Sequence, residues 1–411
     1  MNIVRAQGDV LTSRRLGALL ASLLVITSAT VASAAPSGPP IRIGGTLAMR
    51  GPLAPTARIH RIAGEIYVDE LNRGDGLLGR PVVWVLHDDQ SKPEVARSLY
   101  EKLITVDKVD LLIGPCATSS ILATMGVAQR YRKMLVHHSF GLPYLAKYDM
   151  QFPTTPFGPE PNRSVPARIF DALATTSHPP KTIAIVTSKF PAAQFLSAGA
   201  RDMAERRGLK VALYLEYDDE LGTRDFGAVA ARVKEANPDL LWVGAVGLDG
   251  NLILEALKKL DYTPPRHFYL FPAPGPLAGS PDARLALAHT FFEEHPPFTT
   301  NPTTARLVGL FHERGAKAGL PYVTVDSQAA SSFAAWQVIQ ASVTATRSLD
   351  DKVLAQWLRQ NQVDTVLGRL RFDGPNNYGD DLSKLKQAQE GKWVVVWPKE
   401  FATPGTRLLP P

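Results

Sequence analysis

Cysteine is almost missing from this chain. Cys116 is the single one in 411 residues, so no internal disulfide can form and stability has to come from hydrophobic cores. Long apolar runs are scarce as well: beyond residue 31 no stretch is apolar enough to span a bilayer. Charge of one sign is not concentrated anywhere. The 45 Lys and Arg against 39 Asp and Glu give a formal net charge of +6. Residues 1–35 carry Arg5, Arg14 and Arg15 against Asp9, which leaves +4 scattered over the remainder. A charge so mild and dispersed argues for no nucleic-acid partner. Common catalytic and nucleotide motifs are missing too: there is no G-x-S-x-G, no H-E-x-x-H and no G-x-x-x-x-G-K-[ST]. What remains is the composition of a soluble globular protein, 45% apolar and 20% charged. The chain is too long for one ordinary core, so two domains are expected.

Residues 1–34 read as an export signal. Arg14-Arg15 precede an apolar run over 16–31, and Ala32-Ser33-Ala34 supplies an A-x-A cleavage site. The run is short, diluted with Ser and Thr, and followed by Pro36, Gly38, Pro39 and Pro40, which argues against a membrane anchor. The expectation is cleavage near Ala34 and a soluble periplasmic product. Without a cysteine at the cleavage site, lipid attachment there is excluded.

One stretch, VDLLIGPCATSSILATMGVAQRYRKMLVHHSFG over 109–141, organises the rest. Residues 109–113 form a short apolar run that reads as a buried strand. Gly114-Pro115 break it, and Thr118-Ser119-Ser120 open a helix with Ile121, Leu122, Met125 and Ala128 on its apolar stripe. A second strand over 134–136 delivers His137-His138-Ser139. The polar residues of this strand–helix–strand unit gather at the carboxyl ends of the strands, the edge where open α/β sheets bind ligands. The helix start adds N–H groups and hydroxyls suited to a carboxylate.

The same rhythm runs through the chain. Strands are expected at 41–48 and 82–86, with helices between and after them; Thr56 is placed as a helix cap and Pro93 as a helix start. Residues 151–166 are Pro-rich and read as a crossing between domains. Strands at 182–187, 210–216, 240–246 and 267–271 then alternate with helices at 164–176, 192–207, 225–236 and 251–260. Helices at 303–318 and 326–346 and a strand at 393–397 follow. Two α/β halves, each a mainly parallel sheet flanked by helices, imply a ligand cleft at their junction.

With these elements placed, several phrases resemble the substrate-binding proteins of ABC importers in the branched-chain amino acid (Leu/Ile/Val) and amide group. They are Ile41-Arg42-Ile43-Gly44 with Arg50-Gly51-Pro52, Glu70-Leu71-Asn72 with the 76–81 segment GLLGRP, His87-Asp88-Asp89-Gln90, and Ile113-Gly114-Pro115 with Thr118-Ser119-Ser120. Asp225-Phe226, Asn237-Pro238-Asp239, Gly368 with Phe372-Asp373, and Trp397-Pro398 continue the series, so the likeness covers residues 41–400. It implies the two-lobed type I periplasmic-binding fold, with lobes of 41–153 plus 292–383 and of 154–291 plus 384–411. It also implies a monomeric, non-catalytic binder without cofactor or metal that delivers a small molecule to a membrane permease with a cytoplasmic ATPase.

Carried over residue by residue, Thr118 and Ser119 match the serine run that contacts the ligand carboxylate, and Ser139 matches a backbone contact after the next strand. The family's threonine two residues on is Gly141 here, and its first-loop aromatic aligns with Thr56. Its second-lobe tyrosine aligns with Ala192, and the acidic partner of the ligand ammonium with Ala273. The resemblance therefore keeps the carboxylate seat and drops the ammonium side. It points to a branched-chain amino acid-like solute or to an aromatic or other organic acid. From the residues themselves, Arg58 and one of His137 and His138 are candidates to reinforce the anion seat; adjacent strand residues alternate, so at most one histidine faces the cleft. His138 is the one included in the candidate site, and Phe190 is the candidate stacking lid. Asp88-Asp89 read as structural. Two alternative readings stand beside this one: a hydrolase of amidase type with Cys116 as nucleophile, His137 or His138 as base and Asp88 as orienter, and the sensing half of a signalling system.

Overall fold

The structure, a computed structural model, describes residues 35–218, 225–272 and 276–411; the expected export segment, 1–34, lies outside them. The first sheet is built by β1 (Ile41–Leu47), α1 (Ala54–Arg73), β2 (Val82–Asp88), α2 (Pro93–Thr105), β3 (Leu111–Ile113), α3 (Thr118–Tyr131), β4 (Leu135–His137) and β5 (Gln151–Pro153). Its five strands are parallel in the order β2-β1-β3-β4-β5. The sequence IRIGGTL of β1 is buried almost throughout, as expected for a central strand with helices on both faces.

The rhythm then repeats with α4 (Pro161–Ala174), β6 (Thr182–Ser188), α5 (Pro191–Arg206), β7 (Lys210–Tyr217), α6 (Gly227–Ala236), β8 (Leu240–Gly247), α7 (Asp249–Lys259), β9 (His267–Pro272), the single turn α8 (Pro276–Gly279) and β10 (Leu287–Thr290). Three helices follow, α9 (Pro302–Lys317), α10 (Ser327–Thr346) and α11 (Asp351–Gln360), then a small ribbon of β11 (Val363–Thr365) and β12 (Gly368–Leu370). The hairpin β13 (Lys384–Gln389) and β14 (Lys392–Trp397) completes the order. The second sheet runs β14-β13-β10-β9-β8-β6-β7, parallel from β7 to β10 with β13 and β14 antiparallel on its edge.

The chain leaves the first sheet after β5 and returns after β10, where α9 and α10 pack on α1. It crosses again before β13. Trp336 of α10 meets Trp84 of β2 edge-on at 5.2 Å between ring centroids, and Phe333 meets Tyr67 of α1 at 4.8 Å. These contacts tie the late helices to the first lobe.

Two local expectations change. Thr56 is not a cap: α1 starts at Ala54 with Leu53 as its N-cap and Pro55 in the first turn. Proline fits there because its φ is preset and its missing N–H would have had no helical partner. The 151–166 stretch is more than a crossing. It holds β5, which pairs with β4, and the first six residues of α4, with Pro161 in the first turn and Pro166 inside the helix.

Candidate ligand site

In both sheets the strand order reverses beside the first strand, between β1 and β3 and between β6 and β8. Such reversals open a crevice at the carboxyl ends of the strands. Here the two carboxyl edges share one cavity of about 120 Å³. The first lobe contributes Leu53 and Thr56 after β1, Cys116 to Thr118 after β3, His138 to Gly141 after β4, and Thr155 and Phe157 after β5. Phe190 and Ala192 after β6, Val246 and Phe271 at the ends of β8 and β9, and His289 and Phe291 around the end of β10 come from the second. Ser327, Gln328 and Ser331 from the start of α10 complete it. A larger recess of about 490 Å³ lies among α1, α9 and α10. It sits away from the strand ends, and Glu70, Arg306, Tyr67 and Gln340 in its wall are already paired with one another.

The first-lobe wall is organised by the turn from β3 into α3. A Cβ on Gly114 would stand 2.5 Å from the Cβ of His137, so only glycine lets the two strand ends approach. Ala117 then takes φ +74°, a conformation that side chains rarely adopt, and places Thr118 at the first position of α3. No side chain caps this helix, so its first-turn N–H groups remain a positive end for a ligand anion. Thr118 is buried, and its Oγ1 accepts the Gly141 N–H at 3.3 Å, a bond that leaves the threonine proton to donate.

Beside this seat lies a histidine cluster. The His60 and His138 rings are 4.3 Å apart, and Ser139 Oγ lies 3.3 Å from His60 Nε2 and 3.1 Å from His138 Nδ1. Burial lowers His60 to about 4, with the Gln328 side chain pulling the other way. His138 is also held down, first by burial and then by its neighbours His60 and His137. Burial, followed by the charge of Asp89, pushes the Cys116 thiol up to about 12. Both the thiol and the imidazoles are thus kept neutral.

The facing wall is aromatic, and both lobes build it. The His289 ring is surrounded by Phe157, Phe271 and Phe291, with centroids 5.4, 5.1 and 5.5 Å away. Among the described residues that line the cavity there is no Asp, Glu, Lys or Arg.

Of the eight residues singled out in the sequence, Thr56, Thr118, His138, Ser139, Gly141 and Phe190 meet in this cavity. Ser119 and Arg58 are exposed and do not line it. A helix turns about 100° per residue, which carries Ser119 away from the direction of Thr118 and Arg58 away from that of Thr56. Of the histidine pair, His138 lines the cavity, while His137 Nε2 is bound to Gln151 Oε1 at 2.6 Å. Asp88 and Asp89 hold the loop after β1: Asp88 accepts Met49 N and Arg50 Nε, and buried Asp89 accepts Thr46 Oγ1. Ala192 lines the cavity where the resemblance expects a tyrosine, and Ala273 lies outside the described residues. The sequence reading did not single out His60, Phe157, Phe271, His289, Phe291 or Ser331. The rule that ligands sit at strand ends would have found Phe271, because its strand was expected. It had no purchase on His289 and Phe291, because β10 was not.

Two mainly parallel sheets with matching strand order, crossings between them and a cavity at their facing carboxyl edges make a two-lobed type I periplasmic-binding fold. Residues 40–391 match the model of the Periplasmic binding protein family, and the chain belongs to that family. The leucine-, isoleucine-, valine-, threonine-, and alanine-binding protein of Pseudomonas aeruginosa is 22% identical over 371 residues, 88% of this chain and 92% of that protein. Among solved structures, an ABC transporter solute-binding protein from R. palustris in complex with benzoate superposes with a TM-score of 0.72, at 18% identity, covering 90% of this chain and 99% of its own. A leucine-binding protein from Thermotoga maritima gives 0.71 at 18% identity, covering 86% and 97%. All three bear the names of binding proteins.

Proposed function

We propose that this protein is the periplasmic solute-binding component of an ABC importer, and that it captures a small carboxylate-bearing solute, aromatic rather than an α-amino acid. It hands that solute to a membrane permease coupled to a cytoplasmic ATPase. The observation that carries the reading is the cavity wall: an uncapped helix start with the Thr118 hydroxyl on one side, phenylalanines on the other, and no described acidic lining residue. A carboxylate gains from the helix end. An α-ammonium group would forgo a charge-assisted bond worth about 1.5–3 kcal/mol, or roughly ten- to a hundredfold in affinity. The benzoate bound by the R. palustris neighbour has this chemistry, whereas the Thermotoga maritima neighbour binds leucine.

Catalysis by a Cys116–His pair would need a thiolate beside an imidazolium. The cavity disfavours both charges, since burial raises the thiol and lowers the histidines. Calorimetric titration of the purified protein with leucine, its α-hydroxy analogue and benzoate tests the proposal. The acids are expected to bind more tightly than leucine; leucine binding at least as well as both acids would overturn it.

A further inference from the structure

The buried histidines of this protein differ in one respect. His137 is bonded to Gln151, His267 Nδ1 lies 2.9 Å from the Tyr269 hydroxyl, and His60 and His138 share Ser139. His289 is 8% exposed, lines the ligand cavity, and neither of its ring nitrogens has a hydrogen-bond partner among the described residues. Buried polar atoms are nearly always paired, so an orphan imidazole in a ligand cleft marks a place where the ligand supplies the partner. Thr155 Oγ1 and Ser331 Oγ in the same cavity wall are also buried and unpartnered among the described residues.

The surroundings define what that partner is. Phe157 and Phe291 meet edge-on at 4.8 Å, and Phe271 closes the third side, which makes an aromatic slot around the imidazole. Its charged neighbour is Lys386, whose Nζ is paired with Glu293 at 2.7 Å. Burial and that lysine hold His289 down at about 3, so the ring offers one N–H and one bare nitrogen without charge. A neutral hydroxyl can donate to the bare nitrogen of such a ring, whereas a cation meets Lys386 and a bare hydrocarbon edge leaves both nitrogens unpaired.

Resting on the aromatic-carboxylate reading above, we propose that His289 is a specificity-determining residue. It accepts the hydrogen bond of a hydroxyl carried on the ligand ring, so that the cleft selects hydroxylated aryl carboxylic acids over unsubstituted ones. The carboxylate seat at α3 and the hydroxyl seat at His289 belong to opposite lobes. A ligand with both groups bridges the lobes, and one without the hydroxyl leaves a buried acceptor unpaired on closure, the situation in which sites discriminate most strongly.

The test is titration of the full mature chain with benzoate, 3-hydroxybenzoate and 4-hydroxybenzoate, with leucine as a reference, on wild type, His289→Phe and His289→Gln. The wild type is expected to bind at least one hydroxybenzoate about tenfold or more tightly than benzoate. That ratio falls to about one in His289→Phe and is partly kept in His289→Gln, which retains a donor and an acceptor. Hydroxybenzoates no tighter than benzoate in the wild type, or a ratio unchanged in His289→Phe, would overturn the role of His289 while leaving the carboxylate reading intact. The wild-type ratio decides this even if a variant fails to fold. Binding of leucine with none of the three benzoates would instead remove the aromatic-acid reading and this inference with it.

Discussion

Thr118 brings a buried hydroxyl and an uncapped helix start to the same point of the cavity wall. Its hydroxyl accepts from Gly141 and stands at the uncapped start of α3. Thr118→Val keeps the shape and removes the hydroxyl, and is expected to weaken benzoate binding by about 1–2 kcal/mol, roughly five- to thirtyfold. Ser119→Ala, one residue on and exposed, is expected to change affinity by less than about twofold. A calorimetric comparison of the two decides whether a hydroxyl facing the cavity, rather than helix capping in general, holds the anion. Cys116 packs among Leu47, Ala48, Ala57 and Ala117. Cys116→Ala should therefore cost about 1 kcal/mol or less and keep affinity within a few fold. A turnover that this variant abolished would restore the hydrolase alternative.

At the scale of elements, the loop after β4 and the start of α5 come together across the two lobes. A Cβ on Gly141 would stand 2.6 Å from the Cβ of Ala192, closer than carbon atoms tolerate. Small residues at these two positions, where the resemblance expects threonine and tyrosine, let the lobes approach at this point. Tyr144 of the first lobe and Phe195 of α5 lie 5.1 Å apart near the same seam. Gly141→Ala should wedge the seam and weaken benzoate binding by about tenfold or more, with little loss of stability in the unliganded protein. Unchanged affinity would mean that the lobes do not close on this contact. Element reading from sequence worked for α1 and α5, whose apolar positions recur at helical spacing, but α11, amphipathic and only ten residues long, went unread. It failed for β5, β10 and β13, which are short or polar. Lys384 and Lys386 lie on buried β13, and the Lys386–Glu293 pair that makes the latter tolerable joins residues 93 apart.

For the molecule as a whole, two measurable properties follow. Two lobes joined by crossings and sharing a cleft should close by hinge motion, so small-angle scattering should show a smaller radius of gyration with saturating benzoate than without. Unchanged dimensions at saturation would count against closure. Stability should also fall in mild acid. Burial holds His60, His137 and His267 at about 4 and His289 at about 3 when folded, against about 6.5 in an unfolded chain. Below that value the unfolded chain takes up protons that the native one refuses. The stabilisation is therefore fully present above about pH 6.5 and is withdrawn as pH falls toward about 4, by up to about 3 kcal/mol per group. Urea midpoints measured at several pH values across that window should decline steadily; a flat profile would mean that these histidines are not buried neutral.

The fold class and the first-lobe half of the cleft could be read from residues alone because they rest on local signals. Alternating buried strands and periodic helices name an α/β sheet, and the Gly114–Ser120 turn names the helix start that opens on the cavity. Those determinants act within about thirty residues of chain, the span of one βαβ unit. The opposite wall depends on non-local pairing. Phe157 follows a strand that exists only by pairing with β4, His289 lies on a strand whose register is set by β9 and β13, and Ser331 arrives on a helix packed against α1. No periodicity brings residues 157, 271, 289 and 331 to one point. Only closure of the second sheet onto the first does so, and that is why the helix-start wall of the cavity was legible in the sequence and its aromatic wall was decided by the tertiary structure.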